Sequence, residues 1–130
     1  MSSLFNLTAI AAAGATGSLC RYGLTLAAAA IPGGSSMLGT TIVNVLGCAL
    51  LGGVSALGPV ETESMERLML AIRVGFLGSL TTFSTFASES TALAGAGRWG
   101  ASGTYVLANL VIGWYVLLLA SNLVKGWIQA

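Results

Sequence analysis

Four long apolar stretches dominate this 130-residue chain and constrain its fold more than any other feature. They cover residues 4–31, 37–57, 68–96 and 99–124. A helix needs about 20 mostly apolar residues to cross the hydrocarbon core of a bilayer, and each stretch is long enough to do so. We therefore predict an all-α integral membrane protein with four transmembrane helices. The connections are short, so a single four-span membrane domain is expected over residues 1–130.

The composition supports the same class of protein. Charged residues make up 7% of the chain, whereas about a quarter of a soluble domain is charged. The net charge is +1 and the basic residues are scattered, so we expect no nucleic-acid partner. The chain contains no histidine and no aspartate, and no nucleophile stands beside a base. We therefore predict that the protein is not an enzyme.

The lysine and arginine residues give a weak signal for orientation in the membrane. With four spans, both termini and the second loop share one side, which carries Arg67 and Lys125 with Arg73 close by. The other side carries Arg98 and, near the end of the first span, Arg21. An excess of Lys and Arg marks the cytoplasmic side, and three against two is too even to set an orientation. We hypothesise that the chain inserts both ways and assembles as an antiparallel pair.

Residues 75–86, "GFLGSLTTFSTF", are unusually polar for a membrane helix. The segment contains Gly75, Gly78 and five hydroxyl residues, which are Ser79, Thr81, Thr82, Ser84 and Thr85. Glycines beside a hydroxyl-rich stretch predict that the third helix is broken mid-span. Irregular backbone at that depth is tolerated only where it is buried in protein or lines a cavity, and helix ends at mid-membrane attract ions. The segment is therefore expected to line an ion path rather than to face lipid.

Two other spans carry small or polar residues at helical spacing. These are Thr40, Asn44, Cys48 and Gly52 on the second span, and Tyr105, Asn109 and Gly113 on the fourth. Residues four apart share a helix face, so the polar stripes of three spans could converge on one aqueous path. The alternative is helix packing, which such stripes commonly serve. We favour packing for Cys48, Gly52 and Gly113, and the two interpretations are balanced for Asn44.

Charged and aromatic residues within the spans are the remaining candidates. Arg21 either extends to the membrane surface or attracts anions. Glu89 is the one acid inside a predicted span and is a functional candidate on that ground. Arg73 precedes it by about 24 Å along a helix, so each needs a different partner. Most membrane phenylalanines face lipid or the core, but Phe83 and Phe86 lie on the polar segment, and we favour a pore role for them.

Three motifs resemble the Fluc (CrcB-type) fluoride channels of microorganisms. They are "GSLCRYG" (17–23), "GTTIVNVLG" (39–47) and "GFLGSLTTFSTF" (75–86), and the last is the most specific. The resemblance covers the whole chain. It implies an antiparallel, dual-topology homodimer with two pores and a broken third helix in each copy. It also implies a passive, fluoride-selective channel that exports fluoride across the bacterial cytoplasmic membrane and confers fluoride resistance.

The same resemblance implies a set of site residues. The break would pack against its copy at the dimer centre, where the backbone carbonyls of Gly78 and Thr81 would hold a structural sodium ion. The pore and its approaches would be formed by Asn44, Phe83, Phe86, Tyr105, Thr82, Ser84, Thr85, Glu89 and Arg21. Two departures from the family pattern stand out. Ser79 replaces a common second glycine, and Asn109 and Gly113 stand where small hydroxyl residues are common.

The residue chemistry suits an anion path, although it does not by itself single out fluoride. Amide and hydroxyl groups donate hydrogen bonds, and phenyl rings have positive edges. One alternative is a proton-coupled small multidrug exporter, but its first span would need a carboxylate, so Glu89 would have to serve instead. Another is a packing subunit without transport, in which the polar stripes serve helix contacts alone.

Overall fold

The structure is a computed structural model that describes residues 2–60 and 62–130. The described residues form helices and connecting turns, with no strand among them. Four helices are long and apolar enough to cross a membrane, namely Ser3–Ala30, Ser36–Ser55, Glu63–Gly95 and Trp99–Gln129. The prediction of an all-helical protein with four candidate transmembrane helices is confirmed.

Two of these crossings, the third and the fourth, change helix type along their length. The elements are α1 (Ser2–Ala30), α2 (Ser36–Ser55), α3 (Glu63–Leu70), α4 (Gly78–Leu80), α5 (Phe83–Gly95), α6 (Trp99–Leu107) and α7 (Gly113–Gln129). Two π-helical segments, Ala71–Leu77 and Ala108–Ile112, join α3 to α4 and α6 to α7. The third crossing is therefore built from α3, a π-helical segment, α4 and α5, and the fourth from α6, a π-helical segment and α7.

Local sequence signals account for the starts of α2 and α3. Gly33 takes a positive φ of 77° in the turn after α1, a conformation that glycine adopts without steric cost. The hydroxyl of Ser35 accepts a hydrogen bond from the amide of Leu38 at 3.2 Å and caps α2. The hydroxyl of Thr62 accepts from the amide of Met65 at 3.3 Å and caps α3 in the same way.

The helical backbone of the third crossing is interrupted at Thr81 and Thr82. Thr81 has φ −80° and ψ 155°, and Thr82 has φ −146° and ψ 109°, so both are extended. The hydroxyl of Thr82 accepts a hydrogen bond from the amide of Thr85 at 3.3 Å, which starts α5. The hydroxyl-rich sequence thus supplies the N-cap at the point where the helix restarts, because threonine is a favourable capping residue.

Glycines let the helices approach one another closely. A methyl group added at Gly17 of α1 would overlap the backbone carbonyl of Phe76, and one at Gly52 of α2 would overlap that of Leu117 in α7. Small residues at such contacts bring backbones together and strengthen packing between membrane helices. These contacts place α1 against the third crossing and α2 against the fourth.

The core lies between α2 and the third crossing. Val43, Leu77 and Leu80 form its fully buried cluster. Beside this cluster, Gly47 of α2 faces the methyl group of Thr81, and an added Cβ at Gly47 would overlap that methyl. The interruption is therefore packed directly against α2, which positions the polar residues of α2 around it.

Candidate functional site

Asn44 of α2 binds the backbone of the interruption. Its side-chain Oδ1 accepts from the amide of Thr82 at 2.8 Å, and its Nδ2 donates to the carbonyl of the same residue at 3.3 Å. An asparagine side chain offers both an acceptor and a donor group, so it can pair with both backbone groups of one residue. The sequence left a packing role and a pore role balanced for Asn44, and the structure places it directly at the interruption.

The interruption leaves four backbone carbonyls, those of residues 78–81, without their helical donors. In a continuous α-helix the amide of Thr82 would donate to Gly78, and the amide of Thr85 would donate to Thr81. Instead, the amide of Thr82 donates to Asn44 Oδ1, and the amide of Thr85 donates to Thr82 Oγ1. The carbonyl oxygens of Gly78 and Thr81 are therefore two of the four backbone acceptors that the interruption frees, together with those of Ser79 and Leu80.

Arg21 of α1 also reaches the interruption. Its Nη1 donates to the carbonyl of Thr81 at 3.4 Å, and its side chain is partly buried. A carbonyl oxygen has two lone pairs, so this long bond leaves acceptor capacity at Thr81. The guanidinium group of Arg21 is therefore directed toward the interruption.

The hydroxyl groups after the interruption are arranged unequally. Thr82 is buried, and its Oγ1 donates to Thr85 Oγ1 at 2.9 Å. Thr85 and Ser84 are both exposed. Thr82 and Thr85 therefore form a hydroxyl pair at the start of α5. Ser84 lies between them in sequence, and its side chain is exposed.

Three aromatic rings stand in a row beside these hydroxyls. The ring of Phe86 meets that of Phe83 edge-on, with centroids 5.6 Å apart and an interplanar angle of 62°. On its other side Phe86 meets the ring of Tyr105 at 5.5 Å. Phe86 is 5% exposed whereas Phe83 is 73% exposed. The row thus runs from Tyr105 through buried Phe86 to Phe83, which lies at the surface of the single chain.

Glu89 and Arg73 have separate partners, as the sequence predicts. The hydroxyl of Tyr105 donates to Glu89 Oε2 at 2.7 Å and joins α6 to α5. Arg73 Nη2 donates to the carbonyl of Val54 at 3.1 Å, near the end of α2. Because Tyr105 contacts both Phe86 and Glu89, it links the aromatic row to the one acid that the sequence places within a span.

Asn109 is a buried residue that the sequence analysis did not assign to the pore. It is 7% exposed, and its Oδ1 accepts from Asn44 Nδ2 at 3.2 Å. Its Nδ2 donates to Thr41 Oγ1 at 3.2 Å and to the carbonyl of Tyr105 at 3.1 Å. Its position four residues after Tyr105 predicts that it lies on the polar stripe of the fourth span. The spacing does not predict its hydrogen bond with Asn44, which is 65 residues away in sequence.

A cavity of about 300 Å³ lies beside the interruption. Its lining consists of Asn44, Gly47, Cys48, Leu51, Arg73, Leu77, Gly78, Thr81, Thr82, Phe83, Phe86, Asn109 and Leu110. Six predicted site residues come together here. The others, Arg21, Ser84, Thr85, Glu89 and Tyr105, lie outside this lining.

The cavity is lined mostly by apolar groups, with a few polar groups among them. Its lining combines amide groups, hydroxyls and phenyl rings with one charged side chain, the cation Arg73. Among the described residues, no group of three or more His, Cys, Asp or Glu side chains is placed to hold a metal ion.

Comparisons with known proteins give a consistent result. The profile of a family named CrcB-like protein, Camphor Resistance (CrcB), matches residues 8–121. A protein of Rhodopirellula baltica named fluoride-specific ion channel FluC is 35% identical, over 98% of this chain and 99% of the relative. Proteins of the same name from Shewanella sp. strain ANA-3 and Nitratidesulfovibrio vulgaris are 39% and 44% identical. They are matched over 92% and 82% of this chain and over 95% and 86% of their own lengths.

Proposed function

Because this chain belongs to the CrcB-like protein family, we propose that it is a passive, fluoride-selective channel of the bacterial cytoplasmic membrane. Its relatives, 35% to 44% identical, carry the name fluoride-specific ion channel. The observation in this chain that carries the proposal is the cavity that joins Asn44 and Thr82 to the rings of Phe83 and Phe86. Export of fluoride down its gradient through this path would confer fluoride resistance.

The path can replace the water around a small anion. Fluoride is strongly hydrated, so a pore must offer hydrogen-bond donors or other positive groups. Hydroxyls and amides can donate, and the edge of a phenyl ring carries positive charge. The donors that line the cavity already have partners within the protein, such as the Thr82 carbonyl for Asn44 and the Leu77 carbonyl for Thr81, so the ion would displace these partners. Phe83 and Phe86 meet edge to face, with the edge of one ring directed at the face of the other. Several modest interactions also favour conduction, since the ion must be able to leave.

We assign the remaining predicted residues to the approaches of this path. The hydroxyl pair Thr82 and Thr85, with exposed Ser84, would form a polar track along the first turn of α5. Glu89, with its hydroxyl partner Tyr105, would lie toward one end. Arg21 would attract anions to the other approach, close to the interruption. These roles rest on the resemblance and on the proximity of each group to the cavity.

The functional unit in this proposal is an antiparallel, dual-topology homodimer. The interruption would lie at mid-membrane, and two copies would meet there to form two pores. Two observations support this arrangement. Phe83 is 73% exposed beside the cavity, although a pore ring needs a second wall. Gly78 is also exposed, so the freed backbone lies at a surface that a second copy could cover.

The dimer centre would hold a structural sodium ion. Hard cations prefer oxygen ligands such as backbone carbonyls. The carbonyls of Gly78 and Thr81 fit this role because both have lost their helical donors. An added Cβ at Gly78 would meet only the Arg73 carbonyl, at 3.6 Å, so the position is open on its side-chain side. The ion would stabilise the interruption and is not part of the fluoride path.

The other functional hypotheses receive less support. A multidrug exporter would use Glu89 as its proton carrier, but that carboxylate is bound by the Tyr105 hydroxyl, and the relatives reported above are named ion channels. A packing subunit would use its polar residues for helix contacts alone, which does not account for the cavity at the interruption.

The direct test is ion efflux from liposomes that contain the purified protein. We expect rapid efflux of fluoride, little efflux of chloride, and loss of fluoride efflux in Phe83→Ile. Phe5→Ile is the matched control, because Phe5 lies in the first turns of α1, outside the cavity lining. Fluoride retention by well-folded wild-type protein would contradict the channel proposal, and wild-type efflux in Phe83→Ile would contradict the assigned path.

A further inference from the structure

Asn44 also forms a side-chain hydrogen bond with Asn109, a residue to which the proposed path assigns no role. Asn44 Nδ2 donates to Asn109 Oδ1 at 3.2 Å, in addition to its bond to the carbonyl of Thr82. The NH₂ group of an asparagine carries two hydrogens. Both are therefore used, one by the interruption and one by Asn109.

The orientation of the Asn109 amide is determined by its other partners. Its Nδ2 donates to the carbonyl of Tyr105 at 3.1 Å and to the hydroxyl of Thr41 at 3.2 Å. Turning the amide by 180° would set its oxygen against the Tyr105 carbonyl and its NH₂ group against that of Asn44. Because both contacts would be repulsive, the Asn109 oxygen is directed at Asn44.

The two amides form a chain of hydrogen bonds from α6 to α5. The Tyr105 carbonyl and Thr41 orient Asn109, Asn109 orients Asn44, and Asn44 pairs with both backbone groups of Thr82. Thr82 is the N-cap of α5, and Phe83 is the first residue of that helix. The position of the aromatic row thus depends on the Asn109 amide, although none of these hydrogen bonds joins that amide to an aromatic ring.

We propose that Asn109 is a positioning residue for the fluoride path, acting through Asn44 to fix where α5 begins. This inference rests on the proposed channel function. The proposed role would be particular to this chain, because Asn109 stands where the resemblance implies a small hydroxyl residue. A serine is shorter than asparagine and has a single hydroxyl hydrogen, so it could not bridge from Tyr105 and Thr41 to Asn44.

A double-mutant cycle tests whether Asn109 acts through Asn44. The variants are Asn44→Leu, Asn109→Leu and the double variant, with Asn122→Leu as control because Asn122 is exposed on α7. Fluoride and chloride efflux are measured from liposomes with equal amounts of protein that elutes like wild type. We expect each single change to lower fluoride efflux about tenfold, and the double variant to lose no more than Asn44→Leu alone. The control should match wild type.

Several outcomes would overturn the inference. Wild-type fluoride efflux in Asn109→Leu would do so, as would a loss in the double variant equal to the product of the single losses. If Asn109→Leu does not fold, Asn109→Ser replaces it in the cycle, since small polar residues are well tolerated in membrane helices. The serine variant should also lower fluoride efflux and the ratio of fluoride to chloride efflux, and wild-type values for both would contradict the inference. Absence of fluoride efflux in wild type would instead overturn the proposed function, and this inference with it.

Discussion

The side chain of Asn44 pairs with both backbone groups of Thr82, at 2.8 Å to the amide and 3.3 Å to the carbonyl. Asn44 thereby replaces the Gly78 carbonyl that a continuous helix would have offered to the Thr82 amide, and it gives the Thr82 carbonyl a further donor. Buried backbone groups without partners are costly, so the buried amide of Thr82 needs such a replacement. The polar stripe of α2 and the interruption of the third crossing therefore form one unit.

Thr82→Val should destabilise the start of α5. The change preserves shape but removes the hydroxyl that accepts from the amide of Thr85 and donates to its hydroxyl. Loss of an N-cap typically costs about 1 kcal/mol. Thermal unfolding in detergent, followed by circular dichroism, should show a lower midpoint than wild type.

The matched control is Thr91→Val on the same helix. The Thr91 hydroxyl is exposed and donates to the carbonyl of Ala87 within α5, so its removal should have little effect. Equal midpoints for the two valine variants would argue against a capping role for Thr82.

Tyr105→Phe should reduce both stability and fluoride efflux. The change keeps the ring that contacts Phe86 but removes the hydroxyl that donates to Glu89 at 2.7 Å. A hydrogen bond to a charged group contributes about 1.5–3 kcal/mol. Tyr115→Phe is the control, because Tyr115 is 60% exposed. If both variants unfold at the same temperature as wild type, the bond between Tyr105 and Glu89 contributes nothing measurable.

Gly17→Ala and Gly23→Ala should have opposite effects although both lie on α1. A methyl at Gly17 would overlap the Phe76 carbonyl, whereas one at Gly23 would meet nothing within 4 Å. Overpacking typically costs about 1–3 kcal/mol, and alanine is favoured over glycine within a helix by about 0.5–1 kcal/mol. Thermal unfolding midpoints should fall for the first variant and hold or rise for the second. A fall of the same size in both would show that the close approach at Gly17 is not the cause.

Gly47→Ala should disturb the interruption, and Thr81→Ser should compensate for it. An added Cβ at Gly47 would overlap the Thr81 methyl group. Serine lacks that methyl but keeps the hydroxyl that donates to the Leu77 carbonyl. We expect low fluoride efflux in Gly47→Ala and recovery in the double variant. Thr81→Ser alone is the control, and failure of the double variant to recover would place the defect elsewhere.

The sequence by itself determined the membrane class of this protein, the four helical crossings and the residues that begin α5. Apolar length sets whether a helix can span a bilayer, and capping depends on residues three positions apart, so both are local properties of the chain. The tertiary structure decided the distant partners of Asn44, Asn109 and Arg21, which lie 38 to 68 residues away in sequence. An amide or guanidinium group can serve many acceptors, and only the packing of the helices brings one of them within reach. For that reason the sequence left packing and pore roles balanced for Asn44 and did not predict its hydrogen bond with Asn109.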